Sequence, residues 1–524
     1  MHPLEDITVG GLLRRTAAKF PDHPALTWKD QTWRYAELDA QTDCFVRCLL
    51  AWGVRKGDHL GIWCEAEPNT IFLMYASARI GVVTVMLNTS LSKPELKALL
   101  ISSDIRFLAI GDGFRDSIYP EICRELNAEL PEPIRILYIG QQEQSHFPPL
   151  WNPPEPAHSS IPEETVSPKD PAFLLYTSGT TSLPKAVLDS HYSRANSGIQ
   201  QALDLGATDR DRFCVAMPVF HCFSLTVNVM AACASGGCLC LPESRRTESL
   251  LKTIQTQRCT ILSCVPTLFH ALLSRKDFGS WDLSSLRTGF IGGSTYPQSL
   301  FRQIEERFQF TLLSSLGQTE ATAGITTAHL TDPLDVRAAT IGHFLDHLEG
   351  KIVCPNTGKT LPEGVSGEIC IRGYMVMQGY YGLPDQTAKV IDPEGWLHTG
   401  DLGYLDSDGN VHYTGRLKEL IIRAGENISP REIEQALLTD SRVQDCRAIG
   451  VPDHHYGEEI CLCVISSPGS ALSEPNVREI LKPLLSAYKQ PRYVLFMESF
   501  PATQTGKVSP AKLREEAVRK LALA

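Results

Sequence analysis

Tyr176-Thr-Ser-Gly-Thr-Thr-Ser-Leu-Pro-Lys185 follows directly on the apolar run Ala172-Phe-Leu-Leu175, so a strand is expected to feed a loop rich in hydroxyls. Thr177, Ser178, Thr180, Thr181 and Ser182 offer five hydroxyl groups, and Gly179 lets backbone N–H groups close around an anion. A phosphate cradle is what this chemistry suits. It is not a Walker A loop, because the Gly-x-x-x-x-Gly-Lys-Ser/Thr order is absent. Taken alone, the loop also leaves open a solvated Ser/Thr turn.

Outward from this loop, segments of helical period alternate with short β-rich runs, the pattern of stacked α/β layers around largely parallel sheets. After Asp39, Phe45, Cys48, Leu49 and Trp52 recur at spacings of three and four until Gly53 supplies a stop, and the strand Leu60-Gly-Ile-Trp63 follows. A second unit runs from Pro68 through the Ala76/Ile80 face to Gly81-Val-Val-Thr-Val-Met86. Prolines 148, 149, 153, 154, 156, 162 and 168 mark a surface excursion that can be neither helix nor central strand. From Lys418 onward 14 Lys/Arg balance 14 Asp/Glu, so the net charge resides in the preceding residues. This neutral piece opens on Ser429-Pro-Arg-Glu432, which predicts a capping box and a helix with apolar face Ile433, Ala436 and Leu437. Strands at Cys446 to Val451 and Ile460 to Ile465 and a helix near Val477 to Leu485 complete it. The expected fold class is α/β: a large multi-subdomain N-terminal domain, residues 1–416, with stacked αβ layers, and a small mobile α+β C-terminal domain, residues 417–524.

Composition narrows the function. A 524-residue chain that is 43% hydrophobic and 21% charged is neither disordered nor fibrous and should divide into more than one core. A net charge of -11 repels a nucleic-acid backbone, so nucleic-acid binding is not expected. The sixteen cysteines form no Cys-x-x-Cys pair, and most sit in apolar runs such as Cys259-Thr-Ile-Leu-Ser-Cys264. They read as reduced core thiols, with Cys238/Cys240 and Cys461/Cys463 each packing on one face of a strand. The longest stretch free of charge, between Arg212 and Glu243, is broken by Pro218, His221, Asn228 and Gly236-Gly237 and is not a membrane span. Met1-His-Pro-Leu-Glu-Asp6 lacks the basic-then-apolar order of a secretory leader, and Leu521-Ala-Leu-Ala524 is not a peroxisomal ending. A cytoplasmic location, as monomer or homodimer, is the expectation.

The phosphate loop resembles the signature of the adenylate-forming (ANL) superfamily. Similar motifs continue in order: Met217-Pro-Val-Phe-His221, Gly292-Gly293-Ser294, Gly317-Gln-Thr-Glu320, Gly367-Glu-Ile-Cys-Ile-Arg-Gly373, Gly395-Trp-Leu-His-Thr-Gly-Asp401, Gly415-Arg-Leu-Lys-Glu419, Gly425-Glu-Asn-Ile-Ser-Pro430 and Thr505-Gly-Lys507. The resemblance spans nearly the whole chain, and Gly395 to Pro430 looks most like the AMP-forming acyl-CoA synthetase branch. An amino-acid adenylation domain would carry an Asp shortly after the Phe220 aromatic, to hold the substrate amine. Here the run is His221-Cys-Phe-Ser224.

The resemblance implies an acid–thiol ligase using ATP, Mg²⁺ and CoA on a small-molecule carboxylic acid, as in fatty-acid metabolism. Lys507 would be the catalytic lysine that reaches the α-phosphate and acyl oxygens, and Thr180 and Glu320 would hold the metal. Thr177, Ser178, Gly179, Thr180, Thr181, Lys185, Gly317, Gln318 and Thr319 would bind the nucleotide, with Asp401 and Arg416 at the ribose. The acyl pocket would use His221, Phe223, Val265, Pro266, His270, Gly292, Gly293, Ser294 and Gly324. Lys418 matches the family hinge, Gly425 would let pantetheine pass, and Lys489 and Arg514 could meet CoA phosphates. Two departures stand out. Leu316 occupies the place of the usual adenine-stacking aromatic, and Ala186 that of the usual glycine after the loop lysine. Two other readings compete: an adenylating enzyme that loads a carrier-protein phosphopantetheine, and a non-catalytic nucleotide sensor. The sensor fits poorly with a full set of catalytic charged groups.

Overall fold

The structure, a computed structural model, describes residues 2–141, 147–153, 166–177, 184–423, 426–502 and 508–523. Two compact units divide the chain: the first holds Met1–Gly293, Phe301–Glu349 and Ile371–Leu397, the second Ser294–Leu300, Gly350–Cys370 and His398–Ala524. The fold is mixed α/β, with a large N-terminal and a smaller C-terminal part.

In the first unit two sheets share one apolar core. The seven-stranded sheet runs Gly379–Tyr380, Lys185–Ser190, Pro171–Thr177, Val83–Met86, His59–Trp63, Ile105–Ile110 and Arg135–Tyr138. It is parallel from Pro171–Thr177 outward to Arg135–Tyr138, while Lys185–Ser190 returns antiparallel. A nine-stranded sheet contains Arg212–Cys214, Thr288–Ile291, Thr311–Gln318 and Ala323–Thr327. Phe173 of one sheet and Phe213 of the other join a core filled by the helices Val9–Lys19, Tyr35–Ala51, Pro68–Arg79 and His191–Asp204. The alternation read from the sequence is this layering: strands buried on both faces read as continuous apolar runs because helices cover both sides.

The second unit contains a five-stranded sheet in which Gly457–Ser466 pairs with Val443–Asp453 over its length. Strand period explains its two cores. Ile460, Leu462 and Val464 face the helices Pro430–Leu437 and Glu474–Leu481, whereas Cys461 and Cys463 pack with Leu513 and Ala517 of Pro510–Leu521. The Cys-x-Cys pair is a packing pair, and all sixteen cysteines are free. The expected capping box at Ser429 does not form. The Ser429 hydroxyl donates instead to the Thr414 carbonyl at 2.5 Å, and Glu432 pairs with Lys489. With Arg431 4.9 Å from the Tyr413 ring, these contacts tie the strand Val411–Arg416 to the helix Pro430–Leu437. The strand Val411–Arg416 accordingly lies in the second unit with that helix.

Candidate active site

The strand predicted before the phosphate loop is Pro171–Thr177, and the chain returns at once as Lys185–Ser190, with Thr177 opposite Lys185. Ser178, Gly179, Thr180, Thr181 and Ser182 lie outside the described residues. Lys185 extends its ammonium 4.5 Å from the Tyr380 ring centroid, on the neighbouring edge strand.

Glu320 sits in the turn Thr319–Ala321 after the strand Thr311–Gln318, which carries Leu316, Gly317 and Gln318. Gly317 is required there: a Cβ would overlap the carbonyl oxygen of Ala323 on the returning strand. The Glu320 carboxylate is half-buried and accepts a hydrogen bond from the Tyr380 hydroxyl at 2.8 Å, and its carbonyl accepts from the Met377 N–H at 2.9 Å. Burial, with the Glu320 charge beside it, pushes the Tyr380 phenol far up, so it stays a donor at neutral pH. Among the described residues the Glu320 carboxylate meets a phenol and no cation. Gln318 keeps a buried Nε2 that has no partner among the described residues.

Of the expected acyl-pocket residues, His221, Phe223, Val265, Pro266, His270, Gly292, Gly293 and Gly324 belong to the first unit and Ser294 to the second. His221 caps a short turn, its Nδ1 accepting from the Phe223 N–H at 3.2 Å. Val265 is buried at the start of the helix Pro266–Leu273, whose His270 is exposed beside Ser274. Gly292 passes close to the Ser315 carbonyl, and Gly324 backs onto Gln201.

In the second unit Asp401 is buried on the strand Leu397–Leu405, opposite Arg416 of Val411–Arg416. Arg416 Nε donates to Asp401 Oδ1 at 2.9 Å and the Tyr413 hydroxyl approaches the same oxygen at 3.4 Å. The segment leading into Asp401 is held by Glu368, which accepts from the Gly400 N–H at 3.0 Å and meets His398 Nδ1 at 2.8 Å. Lys418 is exposed in the turn Leu417–Glu419. Lys489 and Arg514 are both engaged, with Glu432 at 2.6 Å and Glu458 at 2.9 Å. Gly425 and Lys507 fall outside the described residues.

The family model described as AMP-binding enzyme matches residues 13–381, and that of the AMP-binding enzyme C-terminal domain matches 432–507. The chain belongs to the AMP-binding enzyme family.

Its relatives fix the branch. It is 36% identical to a putative acyl-CoA synthetase, YngI, of Bacillus subtilis (strain 168), over 99% of this chain and 98% of the relative. It is 31% identical to the mitochondrial medium-chain acyl-CoA ligase ACSF2 of Mus musculus, over 99% and 89%. The crystal structure of ATP-bound MatB from Rhodopseudomonas palustris superposes with a TM-score of 0.87 at 26% identity, covering 98% of this chain and 100% of MatB. The chain is therefore an acid–thiol ligase of the acyl-CoA ligase branch of the ANL superfamily, a group that uses ATP and CoA. Among the described residues no helix is long and apolar enough to cross a membrane.

Sequence reasoning missed Tyr380 and Tyr413 in this ligase. Each touches a predicted acid, yet Tyr380 lies 60 positions from Glu320 and Tyr413 lies 12 from Asp401. No spacing rule links such partners: strand pairing brings Tyr413 beside Asp401, and the packing of the Glu320 turn against the strand Gly379–Tyr380 brings Tyr380 to Glu320.

Proposed function

We propose that this ligase activates a carboxylic acid lacking an α-amino group in two steps. An oxygen of the acid, ionised at neutral pH because its pKa is about 4 to 5, attacks the α-phosphorus of ATP. The bond to the pyrophosphate oxygen breaks, leaving acyl-AMP. The thiol of CoA then attacks the acyl carbon, AMP departs with the electron pair of the broken C–O bond, and the thiol proton passes to solvent.

The observation that carries this reading is the Glu320–Tyr380–Lys185 group: an acid, a phenol and an ammonium set around the ends of the hydroxyl loop. A half-buried carboxylate held by a neutral donor fits Mg²⁺, which takes one or two protein oxygens and completes its shell with phosphate and water. Glu320, with Thr180, would hold it. When bound, that ion supplies neutralisation of phosphate charge. Lys185 offsets further phosphate charge, Asp401 accepts from the ribose hydroxyls, and Lys507 is delivered to the α-phosphate and acyl oxygens during the first step. Lys418 is the pivot that withdraws Lys507 so that the thiol can approach. Lys489 and Arg514 are tied to Glu432 and Glu458, so meeting CoA phosphates would require exchange of those partners. A set of free thiols suits reducing cytoplasm.

The test is carboxylate-dependent exchange of pyrophosphate into ATP, across short, medium, long, aryl and betaine-type acids, followed by thioester formation with free CoA. At least one acid should give both. Exchange without thioester on free CoA would favour a carrier-protein acceptor. Lys507→Ala should abolish exchange and spare thioester formation from a ready-made acyl-adenylate; loss of both would remove Lys507 from the first step alone.

A further inference from the structure

The turn bearing Glu320 ends at Thr322, whose φ of 59° lies in the left-handed region that a β-branched residue rarely adopts. Something must hold it there. The Thr322 carbonyl accepts hydrogen bonds from Arg194 Nη1 at 2.8 Å and from the Thr226 hydroxyl at 2.9 Å, and its own hydroxyl donates to the Met375 carbonyl at 2.6 Å. Arg194, on the helix His191–Asp204, is entirely buried, as is Asp189 on the strand Lys185–Ser190, and the two form an ion pair through Nη2. The guanidinium also lies 5.5 Å from the ring of Phe173, the residue opposite Asp189 in the hairpin.

A fully buried ion pair is a weak source of stability, because desolvating both charges offsets most of their attraction. The geometry offers another use for it. One arm of Arg194 is anchored on the strand that begins with Lys185, and the other grips the backbone of the turn that presents Glu320. We propose that Arg194, seated on Asp189, is a positioning residue that holds the Glu320 turn in register with the phosphate-loop hairpin, so that the acid and Lys185 face the same phosphates. The inference rests on the proposed role of Glu320 in acyl-adenylate formation. Neither Arg194 nor Asp189 touches substrate in it.

The test compares Arg194→Leu with the double variant Asp189→Leu/Arg194→Leu. The single variant strands a buried carboxylate and should melt at lower temperature. The double variant replaces both charges by apolar groups of similar size and should recover most of that loss. If the pair positions the turn, the double variant still loses about tenfold or more in pyrophosphate exchange, since small misplacements of a binding group are costly. Its half-saturating Mg²⁺ concentration should rise several-fold, while thioester formation from a supplied acyl-adenylate stays near the wild-type rate. Backbone amides of residues 319–322 should exchange hydrogen faster in the double variant than in the wild type, a readout that needs no activity. Recovery of wild-type exchange and Mg²⁺ dependence together with melting temperature would overturn the proposal, as would unchanged amide protection at 319–322. An inactive wild type with faster exchange at 319–322 in the double variant would sink the functional reading and leave the brace standing.

Discussion

Glu320 and Asp401 are the two acids proposed for the nucleotide, and the structure holds each by opposite means. Glu320 is half-buried in the middle of a turn that closes on the unfavourable backbone angle of Thr322, its carboxylate bonded to a neutral phenol. Asp401 is buried within an antiparallel ladder, directly opposite Arg416, and its carboxylate already carries the Arg416 guanidinium. The Asp401 charge in turn holds the Arg416 guanidinium protonated more firmly than usual. An acid that meets no cation among the described residues is suited to a metal ion; an acid paired with arginine is suited to neutral hydroxyls. Geometry in the first case is maintained from behind, through Met375, Met377 and Arg194, and in the second by the strands themselves.

The contrast breaks most visibly at Glu320. Glu320→Gln keeps the shape and removes the charge, and exchange of pyrophosphate into ATP should fall about 100-fold, the scale of losing one aimed electrostatic group. Raising Mg²⁺ should recover part of the rate; a loss below threefold would mean that the acid does not serve the metal. Asp401→Asn should weaken ATP binding about tenfold by calorimetry, the worth of a hydrogen bond to a charged group. Melting should change little, because Arg416 is exposed and can be solvated. Unchanged ATP affinity would take Asp401 out of the ribose site. Leu316→Phe should sharpen the nucleotide site, strengthening ATP binding about fivefold if adenine lies against residue 316, since aromatic stacking adds on the order of 1 kcal/mol.

The last contrast concerns pH, and again the two units differ in sign. Burial pushes His191 down to about 4 from an ordinary 6.5, so its contribution to stability is present above pH 6.5 and is lost as pH falls through 4. Burial pushes Glu434 up to about 7 from 4.5, so its contribution is present below pH 4.5 and is lost as pH rises through 7. Urea midpoints followed from pH 4 to 8 should show His191→Gln flattening the acid limb and Glu434→Gln flattening the neutral one. Parallel curves for wild type and variants would contradict both assignments.

The alternation of helical and strand periods already contained the layered fold, because strands covered on both faces must be apolar throughout and the helices between them must be amphipathic. Local signals did less well where a tertiary partner competed for the same atom. Ser429 and Glu432 satisfy the capping-box pattern, but Thr414 takes the hydroxyl and Lys489 the carboxylate. The Cys-x-Cys reading held because strand period depends on nothing further away.

What the sequence by itself determined is the order of motifs from which the reacting groups are proposed: hydroxyl loop, Glu320, Asp401 and Lys507, each embedded in a short motif whose chemistry is local. What only the tertiary structure decided is how those groups are held. Tyr380 on Glu320, Tyr413 on Asp401 and Arg194 bridging Asp189 to Thr322 are contacts between residues far apart in the chain or on different elements. The reason is physical. A motif records which atoms a reaction needs, whereas the packing that aims them is a property of whichever distant side chains the fold brings within hydrogen-bond reach.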